Sequence, residues 1–99
     1  MRIAEVVGTV TLAHAHPSLR GASLRLVIPL TAAELASGAP GQADCLAAWD
    51  PHGAGVGDRV ALSEGSEAAQ PFRPDQKPVD AYCAAILDNV HLGASACGE

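Results

Sequence analysis

The sequence predicts a mainly β protein: a small antiparallel barrel of five short strands, with one short helix before the last of them. Three observations carry that expectation. Runs rich in Val, Ile, Leu and Thr recur along the chain, each bounded by glycine, proline or other turn residues. No long helical pattern alternates with them, so a parallel sheet with helical crossovers is not expected. Three glycines alternate at 53, 55 and 57 just ahead of a strand-like run. They mark a tight loop, because glycine weakens the interior of a helix or strand. The chain of 99 residues is expected to form one domain over 1–99, ending in a Gly/Ala/Ser-rich tail at 91–99.

The first strand is read over residues 2–12, which are dense in Val, Ile and Thr and free of proline. Ile3, Glu5, Val7, Thr9 and Thr11 fall on one face and Ala4, Val6, Gly8, Val10 and Leu12 on the other, and neither face is cleanly polar. An antiparallel strand with one wet side should alternate. Apolar residues on both sides therefore point to a curled sheet or to a neighbouring chain. Gly8 is read as a bend or bulge. Residues 13–21 are a connection. Its His14 and His16 could share a strand face, but a catalytic zinc generally takes three protein ligands and no third stands nearby, so both are read as a solvated loop.

Residues 22–30 form the second strand, with Leu24, Leu26 and Ile28 pointing one way and Arg25 and Val27 the other. Pro29 places its end at an edge or bulge. Thr31 and Glu34 have the spacing of a capping box for a helical turn over 31–35, which Gly38, Pro40 and Gly41 would stop. The third strand covers 43–50, with the large aromatic Trp49 just before the glycine loop assigned to core or subunit packing. The fourth strand follows the glycine loop at 59–63. Ser66 is read as the N-cap of a short helix at 64–70, and residues 71–78, with three prolines, as an extended loop. The last strand covers 79–90. Val79, Ala81, Cys83, Ala85 and Leu87 share one of its faces and Asp80, Tyr82, Ala84 and Ile86 the other. Both faces are again largely apolar, so Tyr82 and Ile86 join Trp49 as residues expected in subunit packing or barrel closure.

The glycine loop does not fit a phosphate site. A dinucleotide fingerprint needs G-x-G-x-x-G opening a helix, whereas Asp58 follows Gly53, Gly55 and Gly57 and a strand comes next. A phosphate-binding loop of the other common kind needs Gly-Lys-Ser/Thr, and no lysine is present there. Ser63 lacks the G-x-S-x-G setting of a hydrolase nucleophile. The formal net charge is −5 and no Lys/Arg cluster occurs, which weighs against nucleic acid as a partner. No apolar run reaches the length of a membrane span, and the strand-like start shows no signal-peptide layout. Cys45, Cys83 and Cys97 are odd in number and widely spaced, as suits a reducing cytoplasm rather than a disulfide framework. Trp49, Phe72 and Tyr82 are the chain's aromatic residues. A core built from Val, Leu, Ile and Ala alone buries little area per residue, which favours stabilisation by further subunits.

Three ordered blocks carry a family likeness. The run GAGVGDRVALSEGS resembles the signature of the small vertex proteins of bacterial microcompartments, the EutN/CcmL family. Residues 1–10 resemble the family's first strand, and Lys77-Pro78-Val79-Asp80-Ala81 with Ala84-Ala85-Ile86-Leu87-Asp88 resembles its last. Gln70 departs from the basic residue usual after the family's serine–alanine–alanine turn. The resemblance implies an OB-like barrel assembling as a ring of five in the microcompartment shell, in the bacterial cytoplasm. Implied partners are identical copies and the hexameric and pseudohexameric shell proteins. No cofactor, metal or catalytic residue is implied. Gly53, Ala54, Gly55, Gly57 and Asp58 become the expected vertex loop, where backbones approach closely around an axis. The alternative is an OB-like module binding a ligand or an oligonucleotide on one face.

Overall fold

The structure is a computed structural model, and it describes residues 1–12, 17–19, 21–74 and 79–93. Five strands form: β1 (Arg2–Val10), β2 (Leu24–Pro29), β3 (Leu46–Trp49), β4 (Arg59–Glu64) and β5 (Ala81–Leu87). They close into a barrel in the order β1-β2-β3-β5-β4. The expected small barrel is therefore the one formed. Its seams are antiparallel except between β3 and β5, which run parallel with Trp49 opposite Tyr82. That exception follows from the path of the chain. After β3 the chain skips one place in the barrel, lays down β4 beside β1, and returns antiparallel to β4, which leaves β5 parallel to β3.

The interior is small and aliphatic. Ala4, Val6, Val27, Val60, Leu62 and Cys83 are fully buried, and Leu46 packs against them. β2 is turned so that Val27, opposite Val6 on β1, faces this interior. Leu24 and Leu26 lie on the other face and are only partly covered within the protomer.

Two bulges interrupt the alternation. On β1, Val6 pairs with Val27 but Gly8 pairs with Leu26, so Val7 is the extra residue next to the glycine singled out as a bend. On β5, Ala61 pairs with Ala85 and Leu62 with Cys83, leaving Ala84 unpaired. The two-face alternation read over 79–90 therefore holds only up to Ala84. The strands are also shorter than expected at β3 and β5, whose outer residues serve as connections.

The helical turn after β2 forms as α1 (Ala32–Ser37). The Glu34 amide donates to Thr31 Oγ1 at 3.1 Å, and the Thr31 amide donates to Glu34 Oε1 at 2.9 Å, completing the capping box. Gly38 ends the helix at φ 73°. The Glu34 carboxylate also accepts the Gln42 amide at 2.8 Å, which folds the following loop back over β2. Its carboxyl is held below the ordinary value of 4.5, chiefly by the Thr31 amide. Partial burial opposes this, and the Gln42 amide and Thr31 hydroxyl add to it.

The short helix before β5 forms as a 3₁₀ helix over Gly65–Phe72; it opens after Glu64 with no side-chain cap bond, so Ser66 lies inside it rather than capping it. Pro71 and Phe72 belong to it and not to the extended loop read over 71–78. Pro71 lies inside it, where an α-helix would lose a hydrogen bond and meet a clash. His14 and His16, Arg20, Lys77 with Pro78, and Cys97 with the rest of 94–99 lie outside the described residues.

Two outcomes follow. A Cβ on Gly41 would stand 2.6 Å from Ile28 Cγ2 and 2.9 Å from Leu30 Cδ2. Gly41→Ala should therefore destabilise by about 1–3 kcal/mol in urea unfolding, and an unchanged midpoint would contradict this packing. Because the folded state depresses Glu34, that group's contribution to stability is present above pH 4.5 and is lost as pH falls through the folded value. Glu34→Gln should flatten that acid limb, and parallel curves for the two proteins would refute it.

Candidate functional site

The glycine loop over 50–58 joins β3 to β4 across one end of the barrel, and a buried carboxylate gives it its shape. Asp50 is 1% exposed. Its Oδ1 accepts the His52 amide at 3.0 Å and its Oδ2 accepts the Ala54 amide at 2.7 Å. The first of these is the turn that an aspartate makes with the backbone two residues on. Arg25, on the inward face of β2 with Val27, brings Nε to 3.5 Å from Asp50 Oδ2 and donates it to the Ala54 carbonyl at 2.7 Å. Its Nη1 donates to Ser23 Oγ and to the Leu24 carbonyl. The Asp50 amide in turn donates to the Ser23 carbonyl at 2.7 Å. Both loop amides and the guanidinium thus meet one carboxylate, and no buried side-chain polar atom among the described residues lacks a partner.

The far limb of the loop is held by a different set of bonds. The Gly57 amide donates to the Val6 carbonyl at 2.8 Å, and the Val6 amide donates to the Asp58 carbonyl at 2.9 Å. Asp58 Oδ2 accepts the Gly55 amide at 2.8 Å and its own amide donates to the Gly55 carbonyl at 3.0 Å, stapling the tip. On the near limb, His52 Nε2 lies 3.0 Å from the carbonyl of Ala84, the bulged residue of β5. The bulges on β1 and β5 thus lie where the loop docks.

The expected loop residues divide by role. Gly53 and Gly57 take φ of 78° and 95°, conformations that side chains resist. Gly55 does not; a Cβ there would meet nothing nearer than Asp58 Oδ2 at 3.8 Å. Nothing in the protomer therefore demands glycine at 55. Ala54 is turned into the barrel and buried, so it serves the loop's own fold. Val56 at the tip is 70% exposed. Through the bond from Gly57 to Val6 its backbone comes up to Val7, itself 38% exposed on the β1 bulge.

Trp49 and Tyr82 are brought together across the parallel seam and meet Phe72 from the 3₁₀ helix. The Trp49–Phe72 and Phe72–Tyr82 ring centroids are 4.6 and 5.5 Å apart, both edge-to-face. Ile86 stands apart from them on β5, exposed. Beside Trp49 the outer surface carries an apolar groove lined by Leu12, Leu19, Leu24, Ala47 and Val79.

Arg25 and Asp50 escaped sequence reasoning. The signal for Asp50 was present, an aspartate and proline ahead of a glycine, the composition of an aspartate-led turn. For Arg25 there was none, since a lone arginine in a strand reads as an outward residue. Among the described residues no group of three or more His, Cys, Asp or Glu could hold a metal ion, and no helix is long and apolar enough to cross a membrane.

The family model for ethanolamine utilisation protein EutN/carboxysome matches residues 1–88. The chain belongs to the EutN/CcmL family. It is 41% identical over 92 residues to the carboxysome shell vertex protein CcmL of Nostoc sp., covering 93% of this chain and 87% of that one. It is 36% identical to the bacterial microcompartment shell vertex protein PduN of Salmonella typhimurium, covering 91% and 98%. Among solved structures, CcmL of Gloeobacter violaceus superposes with a TM-score of 0.80 at 32% identity, covering 93% of this chain and 90% of that one. The GrpN pentameric microcompartment shell protein of Rhodospirillum rubrum superposes at 0.75 and 29% identity, covering 94% and 99%. Family membership and barrel architecture thus agree with the resemblance read from the three sequence blocks.

The buried network also touches Cys83. Burial, and secondarily the Asp50 charge, push its thiol from 9.0 up to about 11, with Arg25 partly offsetting them. A folded value above the unfolded one means the stability it contributes is whole below pH 9 and is lost as pH rises toward 11. Iodoacetamide mapping at neutral pH should label exposed Cys45 promptly and leave Cys83 unmodified until the chain unfolds. Equal labelling of the two would contradict the burial.

Proposed function

We propose that this EutN/CcmL protein is a structural shell component: a homopentamer that caps the vertices of a bacterial microcompartment in the cytoplasm. Flat hexagonal tiling cannot close on itself, and five-fold units supply the missing curvature. Its output is shape rather than catalysis, with hexameric and pseudohexameric shell proteins meeting the outer edge of the ring.

The single observation carrying this reading is the orientation of β2. Its arginine and valine point into the barrel while Leu24 and Leu26 face outward beside the groove at Trp49, an apolar surface that an isolated barrel would leave wet. A second apolar area, at Val7 and Val56, stands at the loop end. A ring joins unlike patches of successive copies, one from each subunit, so two dissimilar apolar surfaces on one protomer suit cyclic closure. Gly55 fits the same scheme, because a glycine the protomer does not require leaves room for a neighbouring backbone. The vertex proteins and the pentameric shell protein named above support the five-fold number.

The OB-like binding alternative draws no support from the site. The aromatic rings pack edge-to-face on one another rather than offering faces to bases, and Arg25 is engaged with Asp50 and Ala54.

Sedimentation equilibrium should return five copies of the 10.0 kDa chain, about 50 kDa, and a 10.0 kDa species at working concentration would overturn the proposal. Gly55→Leu should leave the circular dichroism of the protomer intact while lowering the assembled mass. An unaltered ring would remove Gly55 from the contact.

A further inference from the structure

We infer that the Arg25–Asp50 pair is a positioning device for assembly: it holds the glycine loop in its ring-closing shape without itself forming part of the contact. The inference rests on the ring proposed above and deepens it.

The pair is internal. Asp50 is 1% exposed, and the Arg25 side chain is one-fifth exposed. Neither can offer a broad surface to a neighbour. Both are spent on the loop and its root. The carboxylate accepts from His52 and Ala54, while Nε donates to the Ala54 carbonyl, so Ala54 is gripped at both its amide and its carbonyl. Beyond this grip the chain turns out at Gly55 and presents Val56, 70% exposed, before Gly57 ties back to Val6.

A buried ion pair is a poor way to gain stability. Its desolvation offsets most of the Coulomb attraction, and well-packed apolar residues often do as well. Its distinctive contribution here is geometric. Two carboxylate oxygens fix two amides, and a planar guanidinium bridges carboxylate, carbonyl and the Ser23 hydroxyl at set angles. An apolar replacement would fill the space without dictating where Ala54, and hence Val56, must lie. A ring repeats one contact around its axis, so a loop free to wander weakens every contact at once.

The pair is tested with Asp50→Asn and Arg25→Lys in the full chain, beside the unaltered protein, by sedimentation mass over a dilution series with circular dichroism on the same samples. The asparagine variant keeps size but cannot accept from both amides. The lysine variant keeps charge but loses the planar fork. Expected is a folded protomer whose half-assembly concentration rises at least about tenfold for Asp50→Asn and by a smaller factor for Arg25→Lys. Should Asp50→Asn fail to fold, Arg25→Lys decides alone. Assembly at the unaltered protein's concentration in a folded variant, or loss of the ring only in step with loss of fold, would overturn the inference while leaving the ring standing. An unaltered protein that sediments as a single chain overturns the ring itself, and this inference with it.

Discussion

Asp50 sits where water does not reach it, at the end of a barrel whose interior is built mainly of small apolar side chains. A carboxylate there is tolerable only if its lone pairs are met, and the loop that follows supplies two amides while β2 supplies a guanidinium. The consequences run outward. To bring Arg25 to the carboxylate, β2 must turn its arginine face inward, which carries Val27 into the core and puts Leu24 and Leu26 outside. To bring the His52 and Ala54 amides back onto their own aspartate, the loop must reverse sharply, and Gly53 supplies a backbone conformation other residues resist. One electrostatic requirement therefore orients a strand and shapes a loop.

The same requirement explains why the protomer carries apolar surface on its outside. An inward arginine displaces part of an already thin core, and the leucines that would ordinarily fill it face outward instead. For an isolated small barrel that arrangement is costly, since the buried area per residue is already modest. In the ring proposed above it would be economical, because the next copy would cover the outer face. The family to which the chain belongs has relatives described as vertex and pentameric shell proteins, which agrees with that proposal.

Much of this was legible in the sequence where the determinant was local. The Thr31–Glu34 capping box acts over one helical turn and formed as read. The glycine run announced a loop, and Gly8 announced an irregularity next to the residue that bulges. What could not be read depends on contacts between distant segments. Arg25 and Asp50 are far apart in sequence, and no periodicity links them. The parallel β3–β5 seam follows from the order in which strands fill the barrel, not from their composition. The alternation of β5 fails at Ala84 because a bulge adds one residue without altering the pattern of types. Three glycines looked equivalent, yet only Gly53 and Gly57 are required by the protomer's backbone. The 3₁₀ helix before β5 carried the polar start of an α-helix, but Pro71 within it argued against one.

The most direct measurement of the Asp50 clamp is hydrogen exchange resolved to single amides by fragmentation mass spectrometry. A loop fixed by a buried carboxylate requires the Ala54 amide to exchange as slowly as core amides such as that of Leu62, released only by global opening, despite lying in an irregular segment. Exchange of Ala54 within seconds, at the rate of an unprotected surface loop, would mean that the carboxylate does not hold the backbone and that the loop takes its shape from something else.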